Sequence, residues 1–212
     1  MIKIYIIILT IIVSIYILNF LFIKKTNDSY EIIQKYKPDR NQIVNLVNNK
    51  SPLVLLGIIE DWFIYNENDK IDHKKLTKDV LNDNTQILNN PLTTKKSYVI
   101  NLYKNHESKL IQENKVRHFL CLLEGNISVF LFNPKQNIDF IKNNGLKESK
   151  YSFWNNEKEK LKDTNFIEIK LDKEQILYIP YGWWYCFKVN EESLILDINS
   201  DTILTGPLNL IL

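Results

Sequence analysis

Ile176–Val189, ILYIPYGWWYCFKV, is the stretch that decides the fold. Ile176–Ile179 is an apolar run too short for a helix and rich in residues that suit a buried pleated strand. Pro180 removes a ladder donor, Tyr181-Gly182 makes the turn, and Trp183–Val189 re-enters as a second strand. Successive side chains on a strand point to opposite faces. Trp183 and Trp184 must therefore divide: one enters the core, and the other covers the mouth of a barrel or packs on helices.

Outward from this pair, more short strands appear. Phe166–Leu171 alternates, with Ile167, Ile169 and Leu171 on one face. Leu194–Ile198 alternates too, with Leu194, Leu196 and Ile198 opposite Ile195, Asp197 and Asn199. Phe119–Leu123 and Ile127–Phe132 flank Glu124-Gly125-Asn126, which reads as a hairpin turn, and Asn133-Pro134 ends the second strand. Pro52–Ile59 reads as a strand buried on both faces, Gln86–Leu88 as a short strand, and Ser97–Tyr103 as a strand or helical turn. Helices are expected at Asp39–Asn48 behind Asp39 as N-cap, at Asp72–Asn82 behind Asp72, and at Ile138–Asn143. Thr26–Pro38 reads as a short helical linker. Many short strands after a mixed lead-in predict a mainly β fold with an α lead-in, a jelly roll or barrel.

Composition narrows the function classes. Lys+Arg number 27 and Asp+Glu 25, so no basic excess points to nucleic acid. Five glycines and no Gly-rich motif argue against a phosphate-cradling loop. The abundance of Ile, Asn and Lys is the bias of an AT-rich genome, such as that of a large DNA virus or a protist, and carries no mechanism. Cys121 and Cys186 fall inside strands and read as reduced core thiols. The sequons at Asn27, Asn49 and Asn126 are expected by chance in an Asn-rich chain.

The amino terminus is of a different kind. Ile4–Phe22, continuing to Ile23, carries no charge and is bounded by Lys3 and by Lys24-Lys25. Some twenty helical residues at about 1.5 Å each span a hydrocarbon core of about 30 Å. The run is too long for a signal-peptide core and no small-x-small cleavage site follows it, so it reads as an uncleaved single-pass anchor, with the lipid bilayer as partner of residues 4–23. Lys24, Lys25, Lys35 and Lys37 follow the span and only Lys3 precedes it, which places the folded domain on the cytoplasmic side. The chain thus divides into an anchor, 1–25, a linker with short helices, 26–48, and a β domain, 49–212.

Four pieces, in order, resemble the cupin-like, JmjC-type hydroxylases that use Fe(II) and 2-oxoglutarate. They are Ser51–Trp62 (SPLVLLGIIEDW), Phe119–Pro134 (FLCLLEGNISVFLFNP), Phe166–Val189 and Ser193–Asn199 (SLILDIN). The resemblance implies a double-stranded β-helix. It also implies iron held by an H-x-D/E pair and a distant histidine, and a lysine for the cosubstrate carboxylate. Here the matching metal-ligand positions carry Gln112, Asn114 and Tyr185, and the cosubstrate position carries Ile127. Neutral amides are poor iron ligands and a phenol must lose a proton to bind. The expectation is a degenerate member with no metal and no cofactor, acting as a binding or scaffold module with a protein partner. Two rivals stay open: an active hydroxylase using His106 or His118 with a nearby carboxylate, and a structural membrane or virion protein, with Pro207–Leu212 covering a dimer seam.

His118 begins the strand entering the barrel, and Tyr185 and Asp197 should point into the same space. The three read as a polar remnant satisfied by its own hydrogen bonds, or as a small pocket for an anion or an atypical metal. His73 reads as a solvated residue on a helix, His106 as part of a polar loop, and Phe153-Trp154 as an anchoring contact or a lid.

Overall fold

The computed structural model describes residues 2–25, 27, 29–62, 64, 71, 72, 75–137, 154 and 164–202. The expected helix 138–143, His73, Phe153 and the segment 207–212 lie outside the described residues.

Nine strands build the body: β3 (Thr93–Tyr103), β4 (His106–Glu107), β5 (Ile111–Gln112), β6 (Arg117–Glu124), β7 (Asn126–Phe132), β8 (Ile167–Asp172), β9 (Ile176–Ile179), β10 (Trp184–Val189) and β11 (Ser193–Thr202). They pair from the ends of this sequence inward. β3 pairs with β11, β4 and β5 with β10, β6 with β9, and β7 with β8, all antiparallel. Nested pairing folded over on itself is the signature of a jelly roll, and it yields two facing sheets, β9-β6-β11-β3 and β4-β10-β7-β8. The expected mainly β jelly roll is what forms. The larger sheet is extended at β9 by β2 (Leu53–Leu56) and then β1 (Ile33–Tyr36). β1 runs parallel to β2, and helix α2 (Arg40–Asn48) supplies the crossover that a parallel pair requires.

The apolar residues sort into three layers. Ile43, Val47, Leu55, Leu81, Phe119, Cys121 and Leu196 bury the outer face of the larger sheet under the helices. Leu120, Leu122, Val129, Leu177, Trp183 and Ile195 fill the space between the sheets. Leu110, Phe132, Trp184 and Cys186 form a small cluster outside the smaller sheet. The two tryptophans do divide between faces. The two cysteines lie on opposite outer faces, buried and free.

Asp39 caps α2 as expected. Its Oδ1 accepts from Gln42 N at 2.9 Å while Asp39 N donates to Gln42 Oε1 at 3.1 Å, a reciprocal capping box.

Several local expectations are corrected. The described residues of the expected helical linker, 27 and 29–38, form no helix, because β1 takes its hydrogen bonds from β2 and tertiary pairing overrides a polar local pattern. The strand over 52–59 stops at Leu56, since Gly57 turns the chain at φ +72° into a 3₁₀ turn, Ile59–Asp61. The helix expected at Asp72–Asn82 is instead α3, Lys78–Asn84, capped by Thr77. Ile71 is buried, Asp72 N donates to Ile64 O at 2.7 Å, and Asp72 O accepts from Lys75 N at 2.8 Å, a tighter turn than an α-helix makes. Gln86–Leu88 is part of a 3₁₀ turn, Thr85–Leu88, whose i, i+3 spacing buries Thr85 and Leu88 together. His106 lies in strand β4 rather than in a loop, its ring stacked on Tyr103 at 4.6 Å.

Glu124-Gly125-Asn126 is not a hairpin turn either. β6 and β7 belong to different sheets, so these residues carry the chain across the sandwich. The Ser193 hydroxyl accepts from Asn126 N at 3.2 Å and donates to Asn126 O at 3.1 Å, taking the bonds a hairpin partner would have made. Gly125 adopts φ +86°, and a Cβ there would meet Glu192 O at 2.6 Å. Gly125→Ala is expected to cost about 1–3 kcal/mol, the range for a strained left-handed residue. Urea unfolding of the detergent-solubilised chain, followed by tryptophan fluorescence, measures it.

Candidate functional site

β6 runs through the centre of the larger sheet with both faces covered, so its alternation sorts side chains between two interiors. Phe119, Cys121 and Leu123 face the helices, while Leu120 and Leu122 face the smaller sheet. By the same parity His118 faces the smaller sheet. On β11, Leu194, Leu196 and Ile198 face the helices and Ile195 faces inward, which puts Asp197 inward as well. β11 pairs with β6 so that Asn199 opposes His118, and Asp197, two residues back on the same face, is the diagonal neighbour.

His118 Nε2 donates to Asp197 Oδ1 at 3.0 Å. His118 Nδ1 bonds to Glu113 Oε2, a residue the sequence reading passed over. Glu113 is held on both sides. Its N–H donates to Trp183 O at 2.8 Å, its carbonyl accepts from Gly182 N at 2.8 Å, and its second carboxylate oxygen accepts from Lys115 N at 2.6 Å. The Glu113 and His118 side chains are 5% and 4% exposed and Asp197 24%, so the cluster meets solvent on the Asp197 side.

Burial pulls the imidazole toward its neutral form, but the two carboxylates outweigh it and raise the His118 pKa to about 10. His118 is therefore an imidazolium at neutral pH, with both ring N–H groups donating. The Tyr185 ring lies 5.8 Å from the His118 ring. Burial, then the charges of Glu113 and Asp197, push its phenol far above its ordinary range. Tyr103 is pushed the same way by burial and by Asp197.

The structure thus brings His118 and Asp197 into one hydrogen-bonded cluster, with Tyr185 packed against it. Ile127 is buried between the sheets opposite Leu171. Gln112 pairs with Trp184 on the outward side of β5, and its amide donates to Gly182 O at 3.2 Å. Asn114 is half-buried at the loop after β5. The residue that faces His118 is the one between them. Its signal was the alternation itself: Ile111 opposes inward-facing Tyr185, so Glu113, two further on, falls on the same side. Trp154 is an anchoring contact, its indole N–H donating to Ser108 O at 2.8 Å and its ring edge-on to Phe130. Among the described residues no group of three His, Cys, Asp or Glu side chains is arranged to hold a metal ion.

No family model matches this chain, and no curated protein matches it. Solved structures overlap it in part. A TDP-quinovose 3,4-ketoisomerase from Campylobacter jejuni is 16% identical at a TM-score of 0.33, over 50% of this chain and 62% of that one. A hydroquinone 1,2-dioxygenase from Sphingomonas sp. TTNP3 is 12% identical at 0.36, over 51% and 61%. The CENP-C cupin domain of Drosophila melanogaster is 11% identical at 0.32, over 49% and 59%. The chain spans about three fifths of the length of these structures.

Removing His118 leaves two carboxylates without their cation, one of them deeply buried. His118→Ala is expected to cost about 3–5 kcal/mol. The pH dependence has a definite sign. With a folded pKa near 10 and an unfolded value of about 6.5, the His118 contribution is fully present below about pH 6.5 and is lost as pH rises through about 10. The stability difference between the native chain and His118→Gln, measured by urea unfolding, is expected to shrink steadily from pH 6.5 to pH 10.

Proposed function

We propose that this chain is a membrane-tethered jelly-roll module that works through its exterior as a binding or scaffold component, without Fe(II)/2-oxoglutarate chemistry in its interior. The observation that carries this reading is the commitment of both His118 nitrogens to carboxylates. A facial metal centre needs three donors converging on one point with lone pairs free. Here both ring nitrogens of His118 are engaged, Nδ1 by Glu113 and Nε2 by Asp197, so the two carboxylates sit on opposite edges of the ring.

Three further features support the reading. Tyr185, at the position of the family's distant histidine, is buried beside Glu113 and Asp197, which favour its neutral phenol over a phenolate. Ile127, at the position of the cosubstrate lysine, adds only apolar surface to the interior. One imidazolium between two carboxylates leaves a net negative charge, which disfavours a dicarboxylate such as 2-oxoglutarate.

The tether reading rests on helix α1 (Ile2–Lys24), the one described helix long and apolar enough to cross a membrane. Ile6, Ile8, Leu9, Ile12, Leu18 and Leu21 are all exposed along it, a surface that water does not tolerate and lipid does. The lysines after the span favour a cytoplasmic domain. On the exterior, β3 is the last strand of the larger sheet, with Val99 and Leu102 exposed, an edge on which a protein partner can pair.

Two measurements test the reading. Alkaline carbonate is expected to leave the full chain in the membrane fraction, and release into the supernatant would overturn the tether. Mn(II) titration of the detergent-solubilised chain with 2-oxoglutarate, followed by NMR line broadening, is expected to show no saturable effect at His118. Stoichiometric broadening there would overturn the non-catalytic reading and restore an atypical hydroxylase.

A further inference from the structure

On the helical face of the larger sheet, one cross-strand row is polar. Arg117 on β6 opposes Ser200 on β11, and Ser200 opposes Lys96 on β3. Parity puts all three on the side of Phe119, Ile198 and Tyr98, toward α2 and α3. Arg117 and Ser200 are 3% and 4% exposed and form a floor, while Lys96 is half-buried at the sheet edge.

Backbone carbonyls of the helical layer reach both ends of this row. Leu88 O accepts from Arg117 Nη2 at 3.2 Å, and the next carbonyl, Asn89 O, accepts from Arg40 Nε at 3.0 Å. Successive carbonyls thus hold two guanidiniums near each other, one buried and one exposed. At the other end Lys96 Nζ donates to Asn82 O at 3.5 Å.

A carbonyl satisfies a donor and leaves the charge unanswered. Arg117 Nε is buried and has no hydrogen-bond partner among the described residues. The groups that act electrostatically on Arg117 are Tyr178 and Arg40, and neither is a carboxylate. Burial first, and the Arg40 charge among the lesser causes, lower the Arg117 pKa. Burial, then Arg40, lowers that of Lys96, where Asp83 is the one opposing carboxylate. Asp39, beside Arg40 in sequence, is committed to capping α2, and Asp201 falls on the opposite face of β11 from Ser200. Three cations therefore share Asp83, and the deepest of them has no anion at all. A guanidinium so placed is costly, and an oxyanion seated beside it offsets that cost.

We propose that Arg117, Arg40 and Ser200 form a binding site for a phosphate group, with Lys96 at its rim. Guanidinium forks match phosphate oxygens, the hydroxyl adds a neutral donor, and a dianion balances this charge better than a single carboxylate does. The site lies outside the space between the sheets, so it depends neither on the tether nor on the state of His118.

The test uses the full chain in dodecylmaltoside and phosphate-free buffer, titrated calorimetrically with inorganic phosphate, phenyl phosphate or acetate. Phosphate is expected to saturate one site, with acetate at least about tenfold weaker. Arg40→Gln, at an exposed position, is expected to weaken phosphate about tenfold, the loss of one charge-assisted hydrogen bond. Arg117→Lys keeps the charge, loses the fork and is expected to weaken it comparably. Circular dichroism checks that the variants fold, and if Arg117→Lys does not, Arg40→Gln decides alone. Lys170→Gln, exposed on β8 of the smaller sheet, is expected to bind as the native chain does. No saturable binding, binding indifferent to Arg40→Gln, an equal loss in Lys170→Gln, or acetate bound as tightly as phosphate would overturn the site. Phenyl phosphate bound with the same arginine dependence would make the ligand a phosphomonoester. Phosphate bound and phenyl phosphate refused would make it the free ion. The Mn(II) titration reads His118 separately, so this inference and the reading of the interior can fail independently.

Discussion

β6 and β11 lie side by side in the larger sheet, and both faces of each are covered, one by helices and one by the smaller sheet. A polar side chain on β6 cannot reach bulk water without displacing core, and a buried charge without a partner costs several kcal/mol. Two adjacent cations on β6 answer this constraint in opposite directions. Arg117 turns to the helical side, donates to Leu88 O at 3.2 Å and stands over the Phe119 ring. His118 turns inward and takes two carboxylates. The helical layer offers a free carbonyl at the 3₁₀ turn, whereas the interior offers only side chains and the loop after β5. The imidazolium cluster is thus what double burial demands of a charged residue at this place.

That cluster also organises its surroundings. It joins the loop after β5 to β6 and β6 to β11, so it spans the place where the two sheets would otherwise part. Glu113 is pinned by backbone bonds to the turn before β10, and the Pro180–Trp183 corner is held to the same unit. Between the sheets Tyr30 also enters, edge-on to Trp183 at 6.0 Å, and its hydroxyl donates to Asn165 O at 2.8 Å. The interior is filled from the linker side as well as from the strands.

Most of the sandwich was legible because its strands alternate and its turns carry Pro, Gly and Asn at the stops. Both tryptophans, the faces of β8 and β11 and the cap at Asp39 follow from local periodicity and donor chemistry. The errors share a cause. Thr26–Pro38, Gln86–Leu88 and the 124–126 connection depend on partners far away in sequence, and no local pattern reports those. A Gly between two apolar runs looks the same whether the strands pair with each other or with different sheets. Here Ser193 decides it by satisfying Asn126 on the far side of the chain. The candidate site was half legible for a similar reason. His118 and Asp197 follow from parity on long strands. Glu113 sits past a two-residue strand, where the parity can be read only from the register with β10.

The linker is the part whose role changes most between sequence and structure. As a free helical spacer it would let the domain move independently of α1. Instead, Asn27 locks onto the α2–β2 turn, the Lys50 ammonium donates to the carbonyl of Lys25 just past the helix, and β1 joins the larger sheet. Only eight chain steps separate Lys25 from Ile33, about 26 Å when fully extended. An anchor in α1 therefore carries the β1 edge of the sandwich within that distance of the bilayer surface. The residues that shorten the link between α1 and β1 are the same ones that gather Lys25, Lys50 and Lys135 around one cleft. A long, loose linker would leave those amines dispersed in solvent. The short, stitched one brings them together and holds them at the foot of the helix.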